Sequence, residues 1–230
     1  MKILALIPAR GNSKSIKMKN MQLINNKPLI YYTILSALRS KKINKIVVSS
    51  ENKKILSYSK KKVNVIQRPK NLSKDSTSTF EVLKHAINFL KKKNYYPDLI
   101  VILQPTSPFR DGKDIDNSIN KFIKNKKADC LISVQQVPHN FEPYSQMIIK
   151  KNGYMKNLIK QKFLKTRKQE KKVTFSRNGA AIYILKKKNF NKFIIGGNIL
   201  PYYMPMIKSL DIDTKEDLML SRLIFKNFKT

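Results

Sequence analysis

A chain of 230 residues with a net charge of +34 and one cysteine is long enough for one sizeable core, and it cannot close a disulfide within itself. No segment approaches the ~18 consecutive apolar residues of a membrane span, and the short apolar start runs into Pro8-Ala-Arg-Gly11 rather than a leader, so a cytoplasmic protein with no membrane partner is expected. The positive charge is almost all lysine, scattered in runs such as Lys60-Lys-Lys62 and Lys91-Lys-Lys93 where helices should end, and no RNP aromatics, zinc spacing or recognition helix accompany it. It therefore reads as compositional bias on solvated helix ends rather than the footprint of a specific nucleic acid.

In chain order, apolar runs alternate with helix-length segments. Residues 2–7 read as a buried strand. Residues 28–40 follow as a helix with Leu29, Ile30, Thr33, Ile34 and Ala37 on one face. Residues 45–49 are strand-like, 51–61 helical and 63–67 a strand. Residues 77–92 carry Phe80, Leu83, Ala86, Ile87 and Leu90 at helical spacing. A strand over 99–103, a helix over 111–125 and a strand over 131–134 complete a rhythm that predicts a mainly parallel sheet covered on both faces. Cys130 falls in the apolar stretch 128–134 and reads as a buried thiol rather than a nucleophile.

After Val137 the rhythm breaks. Residues 138–172 contain apolar Met147, Ile148 and Ile149, then Asn152-Gly153 at a turn, and a basic stretch. Asn-Gly between apolar runs is a strong hairpin signal, so this segment is expected to be a protruding antiparallel arm of a single domain spanning 1–230. Residues 173–185 return through Asn178-Gly-Ala180. A closing helix over 214–228 has Thr214 as N-cap and Asp217 in the capping-box position.

Four clusters carry chemistry. The first strand delivers Arg10, Gly11, Asn12, Ser13, Lys14, Lys17, Lys19 and Asn20 to the carboxyl edge of the sheet, where open α/β folds bind nucleotides. Cations and loop N–H groups suit a triphosphate, although the loop has neither a Walker A nor a dinucleotide spacing, and an ordinary basic surface loop is the alternative. Leu103-Gln-Pro-Thr-Ser-Pro-Phe-Arg110 makes a stiff loop on the same edge, where Gln104, Thr106, Ser107 and Arg110 are expected to project polar groups; a rigid helix-capping turn is the alternative. Asp211 and Asp213, two apart in an extended segment, point to one face and suit Mg²⁺, with helix capping as the competing reading. Arg68-Pro69 and Asp75-Ser-Thr-Ser-Thr79 form a polar cluster that by itself reads as a helix cap.

Taken in order, Ile7-Pro-Ala-Arg-Gly-Asn-Ser-Lys14, Lys19-Asn20, Lys27-Pro-Leu-Ile30, Val47-Val-Ser49, Arg68-Pro69, Asp75, Leu103-Gln-Pro-Thr-Ser-Pro108, Arg110, Arg167, Gln169, Asn178-Gly-Ala180 and Asp211-Ile-Asp213 resemble the CMP-sialic acid synthetases, the acylneuraminate or nonulosonic acid cytidylyltransferases. The resemblance implies a Rossmann-like α/β nucleotidyltransferase of the nucleotide-diphospho-sugar type, a homodimer through its arm. It implies Mg²⁺-dependent reaction of CTP with a nine-carbon 2-keto sugar acid, of sialic or legionaminic type, to give the CMP-sugar and pyrophosphate. A related sugar nucleotidyltransferase with another sugar or base is the first alternative, and a basic nucleic-acid-binding protein the second.

By position, the resemblance implies that Arg10, Gly11, Ser13, Lys14, Lys19 and Asn20 hold CTP, with Arg68, Ser76 and Ser78 near the cytosine. It implies Gln104, Arg167, Asn178 and Tyr183 for the sugar, Asp211 and Asp213 for metal, and Arg10, Lys19 and Asp211 as the catalytic set. Some positions depart from the family pattern: Asn12 stands at the first loop's usual second glycine, Ser15 at another glycine, and Glu51 follows Ser50 where an acidic residue commonly ends the second strand.

Overall fold

The computed structural model of the chain describes residues 1–159 and 173–227. Its central strand is β1 (Ile3–Pro8), whose first five residues are buried, as a strand covered on both faces requires. β1 pairs in parallel with β4 (Lys45–Ser50) on one side and β6 (Leu99–Ile102) on the other, and β5 (Asn64–Gln67) continues the sheet in parallel beyond β4. Successive side chains of β1 face opposite ways. Ile3, Ala5 and Ile7 meet α1 (Leu29–Leu38), α2 (Lys53–Lys60) and α4 (Gly112–Lys124) through Ile30, Ile34, Ile55, Ile115 and Phe122. Leu4 and Leu6 meet α3 (Thr79–Lys91) through Leu83, Ala86, Ile87 and Leu90. The expected helix faces are thus the buried ones.

The other half of the sheet is mixed. β7 (Cys130–Gln136) does not lie beside β6; β11 (Tyr183–Lys186) is inserted between them, antiparallel to both. β10 (Phe175–Arg177) pairs antiparallel with the far end of β7, and β12 (Ile199–Tyr203) pairs in parallel along its opposite edge. β12 was not expected from the sequence. Its Pro201 and its alternating exposure suit an edge strand, where one row of backbone groups faces away from the sheet.

Two small hairpins complete the description. Leu23–Ile24 (β2) and Lys27–Pro28 (β3) are joined by Asn25 and Asn26, whose φ values of 45° and 59° suit the mirror-image turn that asparagine tolerates. Met147–Ile149 (β8) and Met155–Asn157 (β9) pair with each other, apart from the main sheet, around the expected Asn152-Gly153 turn. The remainder of the expected arm, including Arg167 and Gln169, falls in 160–172 and lies outside the described residues.

The closing helix α5 (Lys215–Asn227) returns to the start of the chain. Phe225 stacks on Phe109 at 4.6 Å and lies 4.5 Å from Tyr32, while Ile212 and Leu218 join Ile16, Ile24 and Leu29 in a third apolar cluster. This docking lays the segment before α5 across the loop after β1. Among the described residues no helix is long and apolar enough to cross a membrane.

Candidate active site

A cleft of about 630 Å³ opens at the carboxyl edge of β1 and β6, between the loop 9–20, the segment 68–82 and the segment 209–214. The first loop is held at several points. The Ala9 N–H donates to the Ser49 carbonyl, the Gly11 N–H donates to Glu51 Oε1 at 2.7 Å, and Asn20 Nδ2 donates to the Arg10 carbonyl at 2.8 Å. The loop backbone is thereby closed on itself and on β4. Arg10, Ser13, Lys19 and Asn20 line the cleft, and Gly11 and Lys14 do not.

Gly11 therefore departs from its expected role as a phosphate donor, because Glu51 already holds its N–H. Lys14 has a side chain 82% exposed and reaches Asp75 at 3.4 Å, while Arg10 pairs with the same carboxylate at 2.7 Å. Two of the three cations expected to meet phosphates are thus held by one acid of the opposite wall. Lys19 is different. It is buried, and its Nζ donates at 2.8 Å to the Ile212 carbonyl and at 2.8 Å to Asp213 Oδ1. The Ser15 hydroxyl also donates to the Asp213 carbonyl. The first loop and the acidic segment are one unit.

The acidic segment is fixed from both ends. Asn178 Nδ2 donates to Ser209 Oγ, Lys208 bridges Asp111 and Asp114, and the Ile212 N–H donates to the Thr106 carbonyl. With Ile212 fully buried, Asp211 and Asp213 both face the cleft, as an extended segment dictates. Burial pushes the Asp211 carboxyl up to about 6, and the neighbouring Asp213 adds to the rise, against a hydrogen bond from Thr106. Asp211 Oδ1 is buried and has no hydrogen-bond partner among the described residues. A buried, desolvated carboxylate beside a second one is a costly arrangement that a cation would relieve. Among the described residues no cluster of three or more His, Cys, Asp or Glu could hold a metal ion, so a cation here would need ligands beyond the two aspartates, and phosphate oxygens are of the right kind.

Three expected polar residues are occupied structurally. Asn178 is buried, accepts from Ser133 Oγ and donates to Ser209, so it fixes the turn before Gly179 and stays off the cleft wall. Ser78 lines the cleft, but its hydroxyl caps α3 in a reciprocal capping box with Glu81, while Ser76 is exposed and is not among the residues lining the cleft. Arg110 does not project from the sheet edge. It is fully buried and donates to the Ala181 carbonyl at 2.6 Å and to Thr33 Oγ1 at 2.7 Å. Burial pulls its pKa down to about 9. Arg110→Met should destabilise the chain by at least about 2 kcal/mol, since it strands buried acceptors worth roughly 1–3 kcal/mol each. A urea midpoint equal to that of the natural protein would remove this structural role.

Arg68 has a side chain only 3% exposed, lines the cleft, and pairs with Glu51 at 3.2 Å. Gln104 and Tyr183 also line the cleft, with Tyr183 near Asp211. Sequence reasoning missed Arg177 and Ile194-Ile195, which line the cleft as well. Arg177 directly precedes the Asn178-Gly-Ala180 turn, and that adjacency was the available signal. The isoleucines lie in no regular element and carried none.

The sequence profile of a family described as "Cytidylyltransferase" matches residues 4–226. An N-acylneuraminate cytidylyltransferase of Escherichia coli is 31% identical over 96% of this chain, which spans only 51% of that relative's length. A pseudaminic acid cytidylyltransferase of Campylobacter jejuni is 30% identical, with 98% of this chain and 97% of the relative covered. Among solved structures, a CMP:2-keto-3-deoxy-manno-octonic acid synthetase complexed with CTP superposes with a TM-score of 0.74 at 15% identity, covering 98% of this chain and 99% of the other.

Proposed function

We propose that this chain, which belongs to the cytidylyltransferase family, transfers the cytidylyl group of CTP to a nonulosonic acid, releasing pyrophosphate. The observation that carries the reading is the convergence of Arg10, Lys19, Asp211 and Asp213 on one cleft whose lining also includes Arg68, Gln104 and Tyr183. The names of the relatives supply the acceptor class, a nonulosonic acid of the sialic or pseudaminic kind.

In this reading Arg10 and Lys19 hold the phosphates, with Lys14 at the mouth. The anomeric hydroxyl of the sugar acid forms a bond to the α-phosphorus as the bond to pyrophosphate breaks, and the hydroxyl proton is lost to water. Positioning and fixed positive charge supply most of the rate. Asp211 and Asp213 are the residues that would hold Mg²⁺, which when bound neutralises charge on the phosphates. Lys19 orients Asp213 and keeps the acidic segment against the first loop. Arg177, which lines the cleft beside Tyr183, is the cation this reading gives to the sugar's carboxylate.

Pyrophosphate release from CTP and Mg²⁺ with a panel of nonulosonic acids tests the proposal; silence with every acid of the panel would sink it. Arg10→Ala and Lys19→Ala should each raise the CTP requirement ~10–100-fold, as expected when a charge-assisted contact of roughly 1.5–3 kcal/mol is lost. Unchanged CTP dependence in both variants would remove the phosphate assignment.

The same reading gives the β8–β9 hairpin to a second copy of the chain. Met147, Ile148 and Ile149 are 47%, 40% and 73% exposed, and a lone two-stranded hairpin does not bury such a surface. Light scattering should show a dimer, and a stable, active monomer would overturn that assignment.

A further inference from the structure

We infer that Glu51 is a positioning residue for the nucleotide-binding part of the cleft, setting the loop 9–20 through one carboxylate oxygen and holding Arg68 on the cleft wall through the other. The inference rests on the CTP reading above. Glu51 follows the last residue of β4, with its side chain 11% exposed. Its Oε1 accepts from the Gly11 N–H at 2.7 Å and its Oε2 accepts from the Arg68 guanidinium at 3.2 Å. Gly11 follows Arg10 and comes two residues before Ser13, both of which line the cleft, and Arg68 lines it from just past the end of β5. One carboxylate therefore fixes the separation between two parts of the wall.

The loop cannot set this geometry alone. Gly11 is its sole glycine, with Asn12 and Ser15 following, so its course has to be imposed by what it packs against. Asn52 completes the seat. It caps α2 by accepting from the Lys54 and Ile55 N–H groups, and it lies so close to Gly11 that a Cβ there would come within 2.5 Å of Asn52 Nδ2. Burial raises the cost of ionising Glu51, but hydrogen bonding from the Gly11 N–H, its own N–H, Ser73 and the Arg68 guanidinium together outweighs it and holds the carboxyl below its ordinary range. The seat is charged and rigid.

Charge and position make opposite predictions, and that separates them. Arg10 and Arg68 are near enough to oppose each other's charge. If Glu51 acted only through its charge, removing that charge would strengthen the field toward an arriving polyanion and tighten CTP binding. If it positions the loop, disturbing its reach weakens CTP binding while the charge stays.

Glu51→Asp keeps the charge and shortens the reach; Glu51→Gln keeps an acceptor for Gly11 and removes the charge. In the intact chain, Glu51→Asp should raise KM for CTP at least tenfold, with kcat within about threefold and the sugar's KM unmoved. Glu51→Gln should show a smaller rise, and calorimetric CTP affinities should follow the same order. A CTP KM that is unchanged or lower in both variants, with or without a lower Tm, would overturn the role; should one variant fail to fold, the other decides by the same criterion. A natural protein that binds no CTP would overturn both this role and the nucleotide reading, whereas natural binding with unmoved variants overturns the Glu51 role alone.

Discussion

Asp211→Asn should lower turnover by about 100–1000-fold, the scale expected when a preorganised charge-stabilising group is lost, while leaving the chain folded and, at neutral pH, more stable than the natural protein. The two effects have one origin. Asp211 is buried against Gly179, carries an oxygen with no partner among the described residues, and has its pKa raised from 3.8 to about 6. A group whose folded-state pKa is raised binds its proton more tightly in the folded chain. Its contribution to stability is therefore full below about pH 4 and is lost as pH rises through about 6. At pH 7.5 the ionised carboxylate costs on the order of 2–3 kcal/mol relative to acid conditions, and the neutral amide removes that cost.

Asp211→Asn should consequently melt higher than the natural protein at pH 7.5, with the gap closing toward pH 4. Mg²⁺ with CTP should raise the melting temperature of the natural protein and fail to raise that of the variant. Asp213→Asn should lose turnover comparably without the gain in stability, because its side chain is 71% exposed and already pairs with Lys19. Near-natural turnover at low Mg²⁺ in either variant would show that its aspartate is not a metal ligand.

Much of this arrangement was legible in the sequence because it is written in short-range patterns. The apolar run of β1 and the face of α1 follow from burial and periodicity alone. The Thr214–Asp217 capping pair is a local signature and is present as hydrogen bonds in both directions. Asp211 and Asp213 share the cleft because an extended chain alternates. What was not legible depends on distant partners. Nothing in residues 183–186 announces that they slot between β6 and β7, since strand pairing is settled by the whole sheet. Arg110 and Arg10 look alike as letters, yet one is sealed under Ala181 and Thr33 and the other stands in the cleft. Asn178 reads as a ligand-facing amide until Ser133 and Ser209 claim it. Polar residues next to a functional loop divide into those that touch the ligand and those that hold the loop, and only three-dimensional neighbours separate them.

Gly179→Ala should be the most damaging alanine substitution among the glycines of positive φ, and the comparison tests the cleft directly. Gly179 has φ +64° and is followed by Ala180 at φ 60°, so the turn already holds one side chain in the left-handed region. Such strain is sustained where surrounding structure overdetermines it, and here the Asn178 amide locks the turn from behind. A Cβ on Gly179 would lie closer than 3.0 Å to the Asp211 carboxyl group, a separation that forces something to shift. Two other glycines supply controls. Gly153 has φ +82° with nothing within 4 Å of its missing Cβ, so alanine there costs only the backbone term of about 1–2 kcal/mol. Gly197 has φ +63° and would crowd Asp129, a carboxylate outside the cleft, and should lose stability without losing turnover. Gly179→Ala should lose stability and also at least about 100-fold in turnover, the scale of losing a preorganised charged group, together with the melting-temperature rise that Mg²⁺ and CTP give the natural protein. A folded Gly179→Ala chain with near-natural turnover would mean that the Asp211 carboxylate can be displaced without consequence, and its assignment to the metal would fall with that result.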